Sequence, residues 1–353
     1  MNLELLKDET RALLQQLIAT PSFSREEDEA ANLLEQWLVN KGLAVLRKGN
    51  NLWVHSPHPR EGKKVILLNS HIDTVKPAAG YSRNPFSPDI TDGKLFGLGS
   101  NDAGGALVSL LTAFLALTQH PQPYHLIFSA TAEEEVSGKN GVESILPELG
   151  SIDFGIVGEP TQMQMAVAEK GLMVLDCTAQ GLSGHAARNE GINAIYKALP
   201  DIEWFRTHQF EQQSELLGPV KMSVTQVNAG TQHNVVPDTC HFVVDIRINE
   251  CYSNTEILEA IRNQVACKVE PRSLRINSSS TPLDHPFVKR GTELGIDHYG
   301  SPTTSDQALM PFTTIKMGPG DSARSHTADE YIFLDELQEA PEIYINLLEQ
   351  LVI

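Results

Sequence analysis

The sequence predicts an α/β fold in which a mixed-sheet domain is interrupted by a smaller α+β domain. Apolar, strand-like runs alternate with helical segments over the first 170 residues, a pattern typical of sheets covered by helices. Between residues 171 and 280 several segments alternate apolar and polar residues with a period of two, and the first pattern returns from residue 281. We therefore expect a discontinuous domain, residues 1–170 with 281–353, and an inserted domain, residues 171–280.

Two amphipathic helices are expected at the N-terminus. The stretch MNLELLKDETRALLQQLIAT places leucines at helical spacing among charged residues, which is typical of a surface helix and lacks the apolar core of a signal peptide or membrane span. In the next segment Ser24 and Glu27 form a capping-box pattern. We expect a second helix that begins there and ends at Gly42.

Strands are expected next, at residues 44–46 and 51–55 and in the continuous apolar run KKVILLNSH, which ends at His71. A glycine-rich loop, GLGSND, then precedes a long apolar helix from about Gly105 to Leu117. The runs HLIFSAT and FGIVGEP indicate further buried strands, and carboxylates follow both. Because α/β folds place their chemistry at strand ends, these ends are candidate site positions.

The inserted segment has a different character. GLMVLDCTAQG, VKMSVTQVNAG and CHFVVDIRIN alternate with a period of two, whereas GINAIYKALPDIEWF and NTEILEAIRNQV have helical patterns, the second with a cap expected at Asn254. The order strand, helix, strand, strand, helix, strand predicts a ferredoxin-like domain. The stretch NSSSTP, residues 277–282, is the expected return linker.

Charge and cysteine usage exclude several classes of partner. The chain has 27 lysines and arginines against 45 aspartates and glutamates, a formal net charge of −18, which opposes binding to nucleic acid or to anionic membranes. The four cysteines are scattered without a C-x-x-C pair, as expected for reduced thiols in a cytoplasmic protein. A metal site in this chain would therefore use histidine and carboxylate ligands.

Polar residues at the ends of the predicted strands and in nearby loops could form such a site. Zinc accepts histidine nitrogen and carboxylate oxygen, and two ions that share a bridging carboxylate lie about 3.5–4 Å apart. In His71-x-Asp73 the carboxylate lies on the same side of an extended segment as the imidazole and can orient it. The candidate residues are His71, Asp73, Asp102, Glu133, Glu134, Glu135, Glu159 and His326.

Two local patterns admit more than one interpretation. GLGSND is similar to the start of a dinucleotide-binding loop, but Asp102 stands where the last glycine would be, so a glycine-lined loop presenting Asp102 is the better interpretation. The three consecutive glutamates could be a solvated acidic turn. Strand alternation alone does not choose between Glu133 with Glu134 and Glu134 with Glu135 as a functional pair.

Six motifs together resemble a known family. NSHIDTV, GLGSNDAGG, TAEEE, GEPT, SGHAA and GPGDSARSHTADEYI occur in the order and at nearly the spacings of the zinc-dependent M20-type metallopeptidases and amidohydrolases. That family includes acetylornithine deacetylase, succinyl-diaminopimelate desuccinylase, carboxypeptidase G2 and aminoacylase 1. The resemblance covers the whole chain and implies a catalytic α/β domain with a dizinc site and an inserted lid domain that carries homodimer contacts.

The resemblance also implies a ligand set. His71, Asp102 and Glu159 would hold one Zn²⁺, and Asp102 would bridge to a second Zn²⁺ held by Glu135 and His326. Ligands of this kind also accept Co²⁺ or Mn²⁺.

Further roles follow from the same resemblance. Asp73 would orient His71, and TAEEE aligns with the family's Thr-x-Asp-Glu-Glu, which makes Glu134 the general base between Glu133 and the ligand Glu135. The family also has a non-proline cis peptide after the bridging aspartate. We therefore expect one between Asp102 and Ala103.

Three lid residues complete the implied site. His185 would stabilise the oxyanion of the tetrahedral intermediate, often from the partner subunit. Asn234 and Arg247 would hold the substrate amide and carboxylate, the latter because arginine binds carboxylates through two hydrogen bonds. Ordinary lid structure could also account for Asn234 and Arg247.

The expected activity is hydrolysis of the amide bond of an N-acyl-L-amino acid by zinc-activated water. GEPT and GPGDSARSHTADEYI are most similar to the acetylornithine and acetyl-lysine deacetylases, which favours arginine biosynthesis, whereas TTSDQ, residues 303–307, is more similar to desuccinylases and acetylcitrulline deacetylases. Two alternatives stay open. One is a metallo-dipeptidase or aminopeptidase, which would need an acidic group for a free substrate amine, and the other is a non-catalytic binding relative.

Overall fold

The computed structural model describes residues 2–353, and over this part of the chain there are eight α-helices and eighteen β-strands. The helices are α1 (Leu3–Ile18), α2 (Asp28–Asn40), α3 (Gly105–Leu117), α4 (Val142–Leu149), α5 (Ala194–Thr207), α6 (Asn254–Arg262), α7 (Pro286–Glu293) and α8 (Leu334–Leu348). The strands are β1 (Val45–Lys48), β2 (Asn51–His55), β3 (Lys64–His71), β4 (Ile90–Thr91), β5 (Lys94–Phe96), β6 (Tyr124–Thr131), β7 (Phe154–Val157), β8 (Met165–Glu169), β9 (Gly171–Gln180), β10 (Gly184–His185), β11 (Lys221–Ala229), β12 (Val235–Val236), β13 (Thr239–Ile248), β14 (Lys268–Pro271), β15 (Ser279–Ser280), β16 (His298–Ser301), β17 (Thr314–Lys316) and β18 (Tyr331–Phe333).

The chain divides into two compact units. The first comprises the residues up to 167 together with 281–299 and 305–353, and the second comprises residues 168–280 with 300–304. The first unit is built on a mixed sheet with helices, which confirms the predicted α/β class. The second unit is an α+β structure.

A mixed sheet forms the centre of the first unit, with the strand order β1-β2-β6-β3-β7-β17-β8. The strands β6, β3, β7 and β17 are mutually parallel, whereas β1, β2 and β8 are antiparallel to their neighbours. β6 is buried along its whole length and β3 at every position but the first, as expected for central strands covered on both faces. The carboxyl ends of the four parallel strands therefore meet at one edge of the sheet.

The apolar helix α3 belongs to the core of the first unit and packs against α1 and α8. The segment Ser100–Leu117 is long and apolar enough to cross a membrane, but 83% of it is buried inside the protein. A helix that is apolar on every face is typical of the core of a large domain. Its predicted bounds agree with the structure.

The predicted start of the second helix is wrong. α2 begins at Asp28, and Ser24 does not cap it, because the Ser24 hydroxyl donates a hydrogen bond to the Asp73 carboxylate at 2.7 Å. The end is close to the prediction: α2 stops at Asn40, and Gly42 follows with a φ of +79°. Glycine adopts this left-handed conformation without the steric cost that a side chain would bring.

The second unit has ferredoxin-like topology. Its sheet order is β11-β13-β9-β14 with every pair antiparallel, and α5 and α6 pack against the sheet. Alternate residues of β9 are buried, which explains the period of two in the sequence. α6 begins at Asn254, but the cap is Ser253, which forms a capping box with Glu256.

Candidate metal centre

The fold brings the five predicted metal ligands to one edge of the first unit's sheet. His71 is the last residue of β3, and Glu159 follows β7 by two residues. Glu135 lies in a 3₁₀ turn that begins three residues after β6. Asp102 lies in the turn before α3, where its peptide bond to Ala103 is cis. His326 lies in the loop before β18.

The carboxylate of Asp102 lies between the two histidines. Its Oδ1 atom is 3.3 Å from His71 Nε2, and its Oδ2 atom is 3.6 Å from His326 Nε2. Two ligand atoms bound about 2.0–2.1 Å from a tetrahedral zinc ion are separated by about 3.4 Å. Each carboxylate oxygen therefore faces a different histidine at a distance that a shared ion would require, which is the arrangement of a bridging carboxylate.

The other two predicted ligands divide between the histidines. Glu159 Oε1 is 3.6 Å from His71 Nε2, and Glu135 Oε2 is 3.0 Å from His326 Nε2. Each histidine thus has one glutamate of its own and shares Asp102 with the other. This is the donor set of two adjacent ions bound by nitrogen and oxygen.

Two buried atoms of this cluster have no hydrogen-bond partner within residues 2–353: His71 Nε2 and Glu159 Oε1. A buried polar atom without a partner is costly, by about 1–3 kcal/mol. His71 Nδ1 donates to the backbone carbonyl of Asp73 at 2.9 Å, so the neutral ring presents an unprotonated Nε2. Both atoms are of the kind that coordinates divalent cations, and the residues present fit such ions.

The pKa values of the cluster also favour a cation. Burial would lower the pKa of His71, but the neighbouring carboxylates, Asp102 foremost, hold it well above the usual value. The hydrogen bond to Glu135 raises the pKa of His326 to about 9. Burial and then the charge of Asp102 raise the pKa of Glu159 to about 8. The cluster therefore binds protons that divalent ions would displace.

Asp73 holds both the first histidine and the acidic loop. Its carboxylate accepts hydrogen bonds from the backbone N–H groups of Glu134 at 3.0 Å and Glu135 at 3.2 Å, and from Ser24. The predicted contact between its carboxylate and His71 Nδ1 is the longer one, at 3.5 Å, because the ring donates to the backbone carbonyl of Asp73. Asp73 therefore orients His71 through its main chain and the acidic loop through its side chain.

The three consecutive glutamates have different surroundings. Glu133 adopts a φ of +57°, and its carboxylate accepts from the backbone and side-chain N–H groups of Asn140. Glu134 Oε2 lies 4.0 Å from His71 Nε2, whereas Glu135 contacts the second histidine. Glu133 therefore closes the loop, and Glu134 and Glu135 are the members of the run that face the histidines.

Glu134 has the properties of a proton carrier. Burial and then the Glu159 carboxylate raise its pKa well above the usual value. A general base works best when its pKa is close to the working pH, and buried glutamates reach that range.

Asp306 is a residue of this region that the sequence analysis missed. It is 3% exposed, and its Oδ2 atom accepts hydrogen bonds from Asn69 Nδ2 at 2.9 Å and Thr131 Oγ1 at 2.8 Å. It thereby ties the carboxyl ends of β3 and β6, the strands that lead into His71 and the acidic loop. Burial raises its pKa to about 6. TTSDQ contains Asp306, but nothing in that motif indicates partners so distant in sequence.

Glu330 is a second residue that was missed, although it lies within GPGDSARSHTADEYI. It is 2% exposed, and its Oε1 atom accepts from the backbone N–H groups of Asn101 and Asp102. Burial and then the charge of Asp102 raise its pKa to about 8.

The predicted lid residues lie in the second unit. His185 in β10 pairs with Val235 in β12, next to Asn234, so these two predicted residues are neighbours. His185 is exposed, and its Nδ1 atom accepts from the backbone N–H of Ala187 at 3.1 Å. In the neutral ring the proton is therefore on Nε2, which can act as a donor.

Arg247 is engaged within its own strand. Its Nε and one terminal nitrogen donate to the two carboxylate oxygens of Asp245 at 2.8 and 3.1 Å. Residues two apart on a strand point to the same face, which explains the pair. Its role towards a substrate carboxylate stays a prediction.

An α/β domain that gathers two histidines and several carboxylates at the carboxyl ends of parallel strands defines a metal-dependent hydrolase. The family model described as Peptidase family M20/M25/M40 matches residues 67–350, and the chain belongs to that family.

Solved structures with the same fold support this assignment. A tripeptidase from Staphylococcus aureus is 19% identical, with 97% of this chain and 98% of that chain covered and a TM-score of 0.77. Aminopeptidase PepT from Bacillus cereus is also 19% identical, with 99% of both chains covered and a TM-score of 0.76. The YXEP protein from Bacillus subtilis, described as a dinuclear metal-binding peptidase of family M20, is 16% identical, with 98% of both chains covered and a TM-score of 0.74. At these identities the likeness shows the fold.

Proposed function

We propose that the protein hydrolyses the amide bond of an N-acyl-L-amino acid, with N-acetylornithine as the leading substrate and N-acetylcitrulline or an N-succinyl analogue next. The observation that carries the hydrolytic part is the position of Asp102 between two histidines, with the uncommitted carboxyl of Glu134 beside them. The acyl-amino-acid part rests on the GEPT and GPGDSARSHTADEYI motifs. It places the activity in arginine biosynthesis in the cytoplasm, and the four free thiols are consistent with that location.

The chain's own residues supply binding, orientation and proton transfer. Two Zn²⁺ ions held by His71, Asp102, Glu159, Glu135 and His326 would polarise the substrate carbonyl and lower the pKa of water. Glu134 takes a proton from the attacking water and delivers it to the leaving amine nitrogen, which departs as a neutral amine. Asp73 holds the backbone of Glu134 and Glu135 during this transfer.

The lid residues belong to the same proposal. His185 Nε2 would donate a hydrogen bond to the developing oxyanion, and Asn234 and Arg247 would hold the substrate amide and carboxylate. A His185→Ala variant should lower kcat much more than it changes KM. If kcat stayed at the wild-type value, the oxyanion role of His185 would be wrong.

A homodimer through the second unit is also proposed. Within residues 2–353, β11 is an edge strand whose one neighbour is β13, and exposed edges of this kind pair readily with another chain. Large apolar side chains are exposed in the same unit, namely Leu182, Ile192, Tyr196, Leu199 and Val227. Sedimentation that shows only monomer at assay concentration would contradict this proposal and any role of His185 in the partner's site.

Cleavage of a small peptide is the second candidate. The tripeptidase and the aminopeptidase share the fold, and a free substrate amine requires an acidic recognition group. Asp306 is a buried carboxylate outside the predicted ligand set and is available for that role.

One panel separates the candidates. Zinc-loaded protein is incubated with N-acetyl and N-succinyl derivatives of ornithine, citrulline, lysine and diaminopimelate and with one dipeptide and one tripeptide, and amine release is measured with and without a chelator. Chelator-sensitive turnover of one acyl-amino acid would support the proposal and identify the substrate. Cleavage of the peptides alone would favour the second candidate, and no turnover of any compound would favour a binding relative without catalysis.

A further inference from the structure

Glu330 holds the main chain of the bridging aspartate. Its Oε1 atom accepts hydrogen bonds from two consecutive backbone N–H groups, that of Asn101 at 2.9 Å and that of Asp102 at 3.0 Å. Its own carbonyl accepts from the backbone N–H of Gly97 at 2.9 Å. Glu330 is 2% exposed, so these contacts are shielded from water, where hydrogen bonds to a charged acceptor are strongest.

The same contacts connect two ligand-bearing segments. Glu330 follows His326 by four residues and precedes β18, which is fixed by antiparallel pairing with β5. Asn101, whose backbone Glu330 holds, has a side chain that accepts from the backbone N–H of Asp321 at 3.0 Å and donates to its carbonyl at 3.1 Å. The turn with Asp102 and the loop with His326 therefore form one hydrogen-bonded unit.

We propose that Glu330 is a positioning residue that holds Asp102 at the spacing both metal ions need. A bridging carboxylate tolerates little displacement, because each of its oxygens must remain about 3.4 Å from the histidine with which it shares an ion. Glu330 touches no substrate in this role, so it controls metal affinity rather than substrate affinity. The inference rests on the metal centre and is independent of which amide is cleaved.

Two conservative substitutions separate positioning from charge. Glu330→Gln keeps an acceptor oxygen at the same reach and removes the charge. Glu330→Asp keeps the charge and withdraws the oxygen by one methylene. Positioning predicts that Glu330→Gln retains zinc affinity and that Glu330→Asp loses about 10–100-fold, the range for residues that support metal ligands indirectly. A purely electrostatic role predicts the opposite order.

Asp201 provides a matched control. It is also a buried carboxylate that accepts from two consecutive backbone N–H groups, those of Ala266 at 3.0 Å and Cys267 at 2.9 Å, and neither residue is a predicted ligand. Asp201→Asn and Asp201→Glu should lower thermal stability without changing zinc affinity. If they lowered zinc affinity as much as Glu330→Asp does, the effect would be general destabilisation and the proposal would be wrong.

The experiment titrates the chelator-stripped full-length proteins with Zn²⁺ in competition with a chromophoric chelator, which gives stoichiometry and affinity without any substrate. With an active wild type, excess zinc should restore the kcat of Glu330→Asp with KM unchanged. Wild-type zinc affinity in Glu330→Asp, or a greater loss in Glu330→Gln, would overturn the proposal. If Glu330→Asp does not fold, Glu330→Gln decides alone: retained affinity supports positioning, and a tenfold loss refutes it. Failure of the amidase assay leaves these binding results unaffected.

Discussion

The sharpest test of the assigned chemistry is Glu134→Gln, which replaces a carboxylate by an amide of nearly the same shape. Glutamine cannot accept the proton of the attacking water, but it fills the same buried space beside His71. The backbone N–H of residue 134 would still donate to Asp73. The substitution therefore removes proton transfer and leaves the geometry of the acidic loop in place.

The expected magnitude follows from distances in the cluster. The oxygens of Asp102 and Glu159 are 3.3 and 3.6 Å from His71 Nε2, close to the roughly 3.4 Å expected of two ligands on one zinc ion, whereas the Glu134 oxygen is 4.0 Å away. We expect Glu134→Gln to bind both ions as the wild type does. Loss of the general base should reduce kcat by about 10²–10⁴-fold, or about 3–5 kcal/mol in activation free energy, with little change in KM.

The assay measures kcat and KM on the best substrate of the panel and, in the same samples, bound zinc by elemental analysis. Glu133→Gln is the matched control, because it makes the same change one residue earlier in the loop, where the carboxylate bonds to Asn140. The control should keep near-normal turnover.

Two results would refute the reasoning. Glu134 also forms a group of three possible ligands with His71 and Glu159, so loss of one zinc ion in Glu134→Gln would make it a ligand rather than the base. Near-normal turnover with both ions bound would show that another residue transfers the proton.

Three further predictions concern metal loading and stability. Zinc affinity should rise between pH 6 and 9 with proton release on binding, because the pKa of His326 is raised to about 9 and that proton must leave; calorimetry in buffers of different ionisation enthalpy measures the release, and a pH-independent affinity would contradict it. Asp306→Ala should lower the free energy of unfolding by about 1–3 kcal/mol for each of the two buried donors it strands, Asn69 and Thr131, whereas Asp306→Asn should cost less; urea unfolding tests both, and equal stabilities would refute the network. Burial and then the charge of His55 lower the pKa of His125 to about 4, so between pH 6.5 and 4 the unfolded chain binds more protons and stability falls with pH; His125→Gln should reduce this dependence in urea unfolding at pH 7 and 5, and an unchanged slope would count against it.

Long, strongly patterned segments were predictable from the sequence. The apolar helix α3 and the strand β2 have the predicted bounds, because hydrophobic periodicity over several turns or a continuous strand leaves few alternatives. The ferredoxin-like order of the second unit followed from the same periodicity. The position of candidate ligands at strand ends was also readable, because parallel strands bring their carboxyl ends to one edge.

Local motifs were less reliable where a distant partner competes. Ser24 and Glu27 have the spacing of a capping box, yet Ser24 donates to Asp73, which is 49 residues away. A hydroxyl bonds to whichever acceptor the fold places nearest, and the sequence pattern contains only the local one. Arg247 illustrates the converse, because its partner Asp245 is only two residues away on the same face of β13.

The sequence by itself determined which side chains are available for chemistry, their order along the chain and the strand ends that carry them, since these depend on residue type and short-range period. Only the tertiary structure decided that Asp102 faces both histidines, that Asp73 holds the acidic loop, and that Asp306 and Glu330 support the site. The physical reason is range. A hydrogen bond or a shared ion requires atoms within about 3–4 Å, and for residues such as Glu330 and Asp102, more than 200 positions apart, packing of the whole first unit sets that distance.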